Sequence, residues 1–337
     1  MLPLTNSSAY LSELNHRHVV SSASTNSELI EQIQNGTLDA TVVQLLTAET
    51  QSAGRGQHGR SWQSPRGNIY LSLYHPVHMP ISGVLSLIIG VELANMPIIQ
   101  TLNEQLQAQE LTPIGVKWAN DLGFYQQHTQ TGDEDQSVAV DSVSDAPVSE
   151  SDSVASMNSA VSTQRTLPFS KLAGILIEPV TQSGRVVGVV LGIGLNVQAA
   201  PKLTAQTSEG MSYQAISLQD IAETLQPKAQ AASLPSLRVL YQQMSKALMA
   251  AMTRFEHLSI EKPTGHSYYL DSFLKQFDSM DALSELRLRV TQEHNGQTNI
   301  LTGYACGIDT HGCLQLRQDN GKISALFTGR IDVIQTT

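Results

Sequence analysis

Five apolar runs set the first constraint on this chain: TVVQLLTAE at 41–49, NIYLSLYH at 68–75, IGVKW at 114–118, KLAGILIEPV at 171–180 and RVVGVVLGIGLNV at 185–197. All have strand length, and several are apolar on successive residues where a half-exposed strand would alternate. Strands of that kind need cover on both faces, so a sheet layered with helices is expected. Helical periodicity fits 26–34, with Thr25 or Asn26 as cap, and 82–95, where Pro97 should end or kink the helix. Further helices are expected near 217–225, 235–257 and 265–277. After about residue 283 the pattern changes to short alternating runs, ELRLRVTQ, TNILTGYACGID, CLQLRQD and ISALFTGRIDVI, punctuated by turn-forming EHNGQ, THG and DNGK. That reads as a small all-β barrel. The expected organisation is α+β over residues 1–282, followed by a barrel over 283–337.

One tract stands apart. Residues 126–168 hold nine serines, seven acids, one base and no aromatic residue. Such a segment cannot bury enough apolar surface to offset the entropy of ordering, so a disordered insertion is expected. It carries more than half of the chain's net charge of −10, so the overall acidity says little about partners. The N-terminal residues are too polar for a signal peptide, and the longest apolar run, GVLSLIIGVELANM, is short for a membrane span and contains Glu92. A cytoplasmic protein with no membrane association is expected. Cys306 and Cys313 have no metal-ligand spacing and read as reduced thiols.

Residues 52–67, SAGRGQHGRSWQSPRG, place four glycines and three arginines between two strands. Neither a P-loop nor a dinucleotide fingerprint is present, because the segment does not open a helix. What remains is a pliant connection able to fold over an anion, with Arg55 and Arg60 as cations and Trp62 as lid or anchor.

At this point the chain resembles the biotin protein ligases. STN at 24–26 resembles their opening biotin-site motif, and QSAGRGQHGRSWQSPRGNIYLSL at 51–73 their glycine-rich ligand loop. VKWANDL at 116–122 resembles KWPNDL with alanine for proline; KLAGILIE and GIGLNV resemble the two strands that follow, and GIDTHGCLQLRQDNG the barrel. The resemblance implies a central mixed sheet with helices on one side and a small C-terminal SH3-like barrel. It also implies an ATP- and Mg²⁺-dependent enzyme that makes biotinyl-5′-AMP and passes biotin to a lysine of a biotin carboxyl carrier protein, such as the acetyl-CoA carboxylase subunit. Only 23 residues precede Ser24, so the form without an N-terminal DNA-binding domain is expected, as monomer or homodimer and with no DNA partner.

By the same resemblance Ser24, Thr25 and Gln51 would hydrogen-bond the biotin ureido ring beside Asn26. Arg55, Gly56 and Gln57 would border its valerate and carboxylate. Arg60 would meet phosphate and Trp62 would close the loop. Lys171 would contact the carboxylate and α-phosphate, Asn196 the adenine, and Asp121 would orient the carrier lysine or hold Mg²⁺. Gln57 stands where some members carry arginine. Two other readings stay open at this stage: a lipoate or octanoate ligase of the same superfamily, and a non-catalytic biotin-binding regulator, which would have no use for Lys171.

Overall fold

The structure is a computed structural model that describes residues 7–77, 79–126, 166–201, 213–225, 234–260, 268–294 and 296–335. The N-terminal part runs α1 (Ser7–Glu13), β1 (His16–Ser22), α2 (Thr25–Gln34), β2 (Gln44–Gln51), β3 (Ile69–Pro76), α3 (Val84–Ala94) and α4 (Pro97–Ala108). Then come β4 (Gly115–Lys117), β5 (Asp121–Tyr125), β6 (Thr166–Leu167), β7 (Phe169–Gln182), β8 (Arg185–Leu195) and β9 (Tyr213–Ala215). Helices α5 (Leu218–Leu225), α6 (Leu237–Ile260) and α7 (Tyr268–Asp278) precede β10 (Arg287–His294), β11 (Gln297–Ile308), β12 (Leu314–Arg317), β13 (Ile323–Leu326) and β14 (Arg330–Ile334).

The main sheet is ordered β1-β2-β3-β8-β7-β5-β4, with β9 added to β7. It is mixed: β1 runs parallel to β2 and β9 parallel to β7, and the other pairs are antiparallel. At its centre β7 and β8 form a hairpin closed by Ser183 (φ 51°) and Gly184 (φ 77°), the left-handed pair that a two-residue turn demands. Consecutive residues of the central strands feed opposite faces. Leu45, Leu73 and Val189 join one apolar core with α3 and α6, whereas Leu46, Tyr74 and Val190 pack with Leu29 and Ile33 of α2. So the helices are not all on one side: α2 covers the face opposite the rest, and this is why the central strands read as apolar on successive positions.

Helix α3 is buried almost all round, and Gly90 lets it rest on Val116, whose Cγ1 would lie 2.7 Å from a Cβ added there. Pro97 both ends one helix and begins another. It is the first residue of α4, where a missing N–H costs nothing, and the α3–α4 pair is bent by 69°. No single helix among the described residues is long and apolar enough to cross a membrane.

The alternating runs after residue 283 form an antiparallel sheet ordered β13-β12-β11-β10-β14-β6, and among the described residues no pairing joins its two edges into a closed barrel. Its last strand comes from far upstream, with Leu167 opposite Val333 and Thr166 opposite Ile334. The core is continuous across residue 283: Leu288, Val290, Leu314 and Val333 belong to the same cluster as α3. Trp118 Nε1 also donates to Gly312 O at 2.8 Å. Residues 127–165, nearly all of the acidic serine-rich tract, lie outside the described residues; on either side of them Tyr125 and Phe169 face each other in the β5–β7 ladder.

Candidate functional site

A cavity of about 140 Å³ opens over the centre of the main sheet, between α2, the 52–66 loop and strands β7 and β8. At one end, Ser24 caps α2, its Oγ accepting from Ser27 N at 3.5 Å; the cap is therefore neither Thr25 nor Asn26, which occupy the first turn. Both of those are buried and fully engaged. Gln51 Oε1 accepts from Thr25 N at 2.9 Å and from its Oγ1 at 3.1 Å, and Gln51 Nε2 donates to Ser64 Oγ at 3.1 Å. Ser72 Oγ reaches Thr25 Oγ1 at 2.7 Å and Asn26 Oδ1 at 2.5 Å, and Asn26 Nδ2 donates to Glu178 Oε2 at 2.9 Å. Gly192 lies directly against Asn26: a Cβ there would overlap Oδ1.

The glycine-arginine loop lies folded over the opening. Gly56 N donates to Arg60 O at 2.7 Å, and His58 (φ 55°) with Gly59 (φ 73°) turns the chain so that Arg60 N and Nε both reach Gln57 O at 3.2 Å. Arg55 pairs with Glu178 Oε2 at 2.7 Å, so the carboxylate that steadies Asn26 also tethers the loop. Trp62 lays its ring on β8, so closely that a Cβ on Gly194 would overlap it. Its indole Nε1 is buried and has no hydrogen-bond partner among the described residues.

The far end is charged. Lys171 Nζ lies 2.6 Å from Asp121 Oδ1, with the rings of Trp62 and Tyr213 at 5.3 Å and 5.5 Å. Tyr213 donates to Asp121 Oδ2 at 3.4 Å and accepts from Lys117 Nζ at 2.6 Å. Burial holds the Tyr213 hydroxyl well above the usual phenol range and lowers Lys117 to about 8, against the opposing pull of Asp121. Asn196, just after β8, donates through Nδ2 to Ile216 O at 3.2 Å, and its buried Oδ1 has no hydrogen-bond partner among the described residues.

Eleven of the residues expected from the sequence therefore line one cavity: Ser24, Thr25, Asn26, Gln51, Arg55, Gly56, Gln57, Arg60, Trp62, Lys171 and Asn196. Asp121 lies behind the wall, bound to Lys171. Other residues at the site were not expected, Glu178, Lys117 and Tyr213 among them. Glu178 closes the KLAGILIE run and Lys117 opens KWANDL, so both lay within quoted motifs; Tyr213 follows a stretch with no motif.

A sequence model of the biotin/lipoate A/B protein ligase family matches residues 19–132. The bifunctional ligase/repressor BirA of Salmonella typhimurium is 29% identical over 289 residues, and that of Escherichia coli 27%. Over residues 19–132 the chain is similar to the biotin/lipoate A/B protein ligase family. The matched region covers 85% of this chain and 65% of each BirA, so the chain spans about two-thirds of the length of the curated relatives. Beyond that region a likeness of fold to solved structures extends over nearly the whole chain. A biotin protein ligase from Aquifex aeolicus, in complex with biotin and ATP, superposes with a TM-score of 0.56 at 18% identity, covering 96% of this chain and 99% of that one. A point mutant of the same protein, in complex with biotin, gives 0.56 at 17% with the same coverage.

Proposed function

We propose that this chain adenylates biotin with ATP and transfers the biotinyl group to a lysine of a biotin carboxyl carrier protein, of the kind found in acetyl-CoA carboxylase. The observation that carries this reading is the division of the cavity into a neutral, hydrogen-bonding end at α2 and a cationic end at Lys171. A biotin laid along it would place its ureido ring against Ser24, Thr25 and Gln51 and its carboxylate beside Lys171. There a carboxylate oxygen attacks the α-phosphorus of ATP and pyrophosphate leaves. The lysine ammonium and the arginines of the loop stabilise charge spread over phosphoryl oxygens. In the second step the carrier lysine attacks the acyl carbon of biotinyl-5′-AMP and AMP departs. Trp62 and the folded loop exclude water from the mixed anhydride between the two steps. The unpartnered Asn196 Oδ1 suits the exocyclic amine of adenine.

For Mg²⁺ the side chains fit poorly. Asp121 Oδ2 accepts from Tyr213, its Oδ1 has no hydrogen bond but is held in the ion pair with Lys171, and the described residues contain no group of three or more His, Cys, Asp or Glu placed to hold a metal. The ion is expected to arrive on the nucleotide phosphates, and no step is assigned to a protein-bound metal. The unpaired thiols of Cys306 and Cys313 are in keeping with the cytoplasm as the working compartment.

The test is acid-dependent exchange of radiolabelled pyrophosphate into ATP with biotin, lipoate and octanoate in parallel. Exchange with biotin alone is expected. Exchange with lipoate or octanoate in its place would assign the other branch of the superfamily, and no exchange with any acid would overturn the enzymatic reading.

A further inference from the structure

Lys117 is 4% exposed and lies behind the cavity wall. An ammonium group removed from water to this degree costs several kcal/mol unless it is paired and hydrogen-bonded. The chain gives it the Tyr213 hydroxyl at 2.6 Å and two ring faces, Tyr213 at 4.6 Å and Phe169 at 5.0 Å. Through that hydroxyl it is joined to Asp121 Oδ2, while the other oxygen of the same carboxylate is 2.6 Å from Lys171 Nζ. One carboxylate thus serves two lysines. Asp121 and Lys171 taken alone cancel, which would make the end of the cavity a poor place to bring a carboxylate and a phosphate together. With Lys117 included the cluster keeps one positive charge.

We propose that Lys117 is a positioning residue for the anion site: through the Tyr213 hydroxyl it shares the Asp121 carboxylate, and so leaves Lys171 with net positive charge to offer a bound anion. The proposal deepens the adenylation reading and rests on it. It also accounts for a lysine in a place where an apolar side chain would pack at less cost.

The charged groups around Lys117 set the sign of its pH dependence. Asp121 on β5 and Asp332 on β14 favour the ammonium, while Lys171 on β7 and Arg60 in the loop oppose it. Asp332 is itself held by Arg289 at 3.2 Å and Arg330 at 3.3 Å. Burial outweighs these and brings Lys117 down to about 8. Below that pH the cluster carries its extra charge; as the pH rises through it, the charge is lost and the anion site weakens.

The experiment is biotin-dependent pyrophosphate exchange by the full chain across about pH 6 to about pH 10, a range that includes the ordinary lysine value. The wild type, Lys117→Met, Lys117→Arg and Tyr213→Phe are compared. Lys117→Met is expected to lower kcat roughly 10- to 100-fold with little change in the KM for biotin, and to lose the alkaline decline near pH 8. Its thermal midpoint should be no lower than that of the wild type, because a buried cation is exchanged for an apolar chain of similar length. Lys117→Arg should restore most of the rate and abolish the decline, since a guanidinium stays charged. Tyr213→Phe keeps the ring, removes the hydroxyl link and should fall between them, which decides the matter if Lys117→Met fails to fold. A wild-type kcat and pH profile in Lys117→Met, or in Tyr213→Phe, would overturn the proposal. If the wild type exchanges with no acid, the adenylation reading fails separately. Lysine ε-¹³C NMR then reads the cluster directly, and a Lys117 resonance that Tyr213→Phe leaves unmoved would overturn it.

Discussion

The two ends of the cavity are built on opposite principles. At α2, the polar side chains of Thr25, Asn26, Gln51 and Ser72 are hydrogen-bonded to one another. At the Lys171 end one carboxylate serves two ammonium groups, and the Trp62 Nε1 and Asn196 Oδ1 atoms are buried without hydrogen-bond partners among the described residues. The first end is preorganised to hold a neutral polar group at low reorganisation cost. The second keeps charge and unmet hydrogen-bonding capacity in reserve for a ligand that brings both. Binding and chemistry are therefore expected to separate along the cavity, and mutations at the two ends should divide between KM and kcat.

The strongest break is Lys171→Ala. Adenylation should fall by roughly 2.7–4 kcal/mol in kcat, the scale of one preorganised stabiliser, while biotin binding measured by calorimetry stays close to wild type. Equal losses in both would erase the distinction between the ends. At the neutral end, Gly192→Ala drives a Cβ into Asn26 Oδ1. Displacing Asn26 should cost about 1–3 kcal/mol, the scale of forced repacking, and should appear as a raised KM for biotin with kcat nearly intact.

A smaller effect sharpens the comparison at the loop. Gln57 borders the cavity with a neutral amide. Gln57→Arg should slow release of preformed biotinyl-5′-AMP by about 1–2 kcal/mol, the difference between charged and neutral hydrogen bonds. Equal off-rates for wild type and variant, at acidic and alkaline pH alike, would remove residue 57 from the phosphate. The smallest effect is expected from replacing residues 128–164 with a short Gly/Ser turn. Thr166 and Leu167 are kept because they pair with Ile334 and Val333. Each halving of a flexible loop changes closure by only about 0.6 kcal/mol, so exchange should be unchanged and the melting point little moved. Loss of biotinyl-5′-AMP formation would give that tract a part in the chemistry.

Most of the central sheet was legible because its strands are buried on both faces and their apolar runs have no competing explanation. β1 was not. HRHVVSS sits at a sheet edge, where half-exposed positions tolerate histidine, arginine and serine and leave no apolar signature. Helix α4 was not legible either: Pro97 is expected only to end or kink the helix over 82–95, yet a proline that terminates one helix is equally suited to begin the next. The cap was misassigned by one or two residues, since serine, threonine and asparagine at 24–26 are all competent and only the backbone angles decide. Glu178 and Tyr213 escaped notice for a related reason. Their roles depend on partners far away in sequence, Arg55 and Asn26 for one, Lys117 and Asp121 for the other.

By itself the sequence determined most of the central sheet, the pliant cationic loop and the identity of eleven residues that line the cavity. Hydrophobic pattern and glycine content act locally, and the motifs keep chemically necessary groups close together along the chain. Tertiary structure alone decided that β6 forms an edge of the C-terminal sheet, that α2 covers the face opposite the other helices, and that Asp121 lies between two lysines. Those facts are matters of distance in a buried, low-dielectric interior. There a separation of 2.6 Å between an ammonium and a carboxylate sets charge and orientation together, and no linear spacing of residues encodes it.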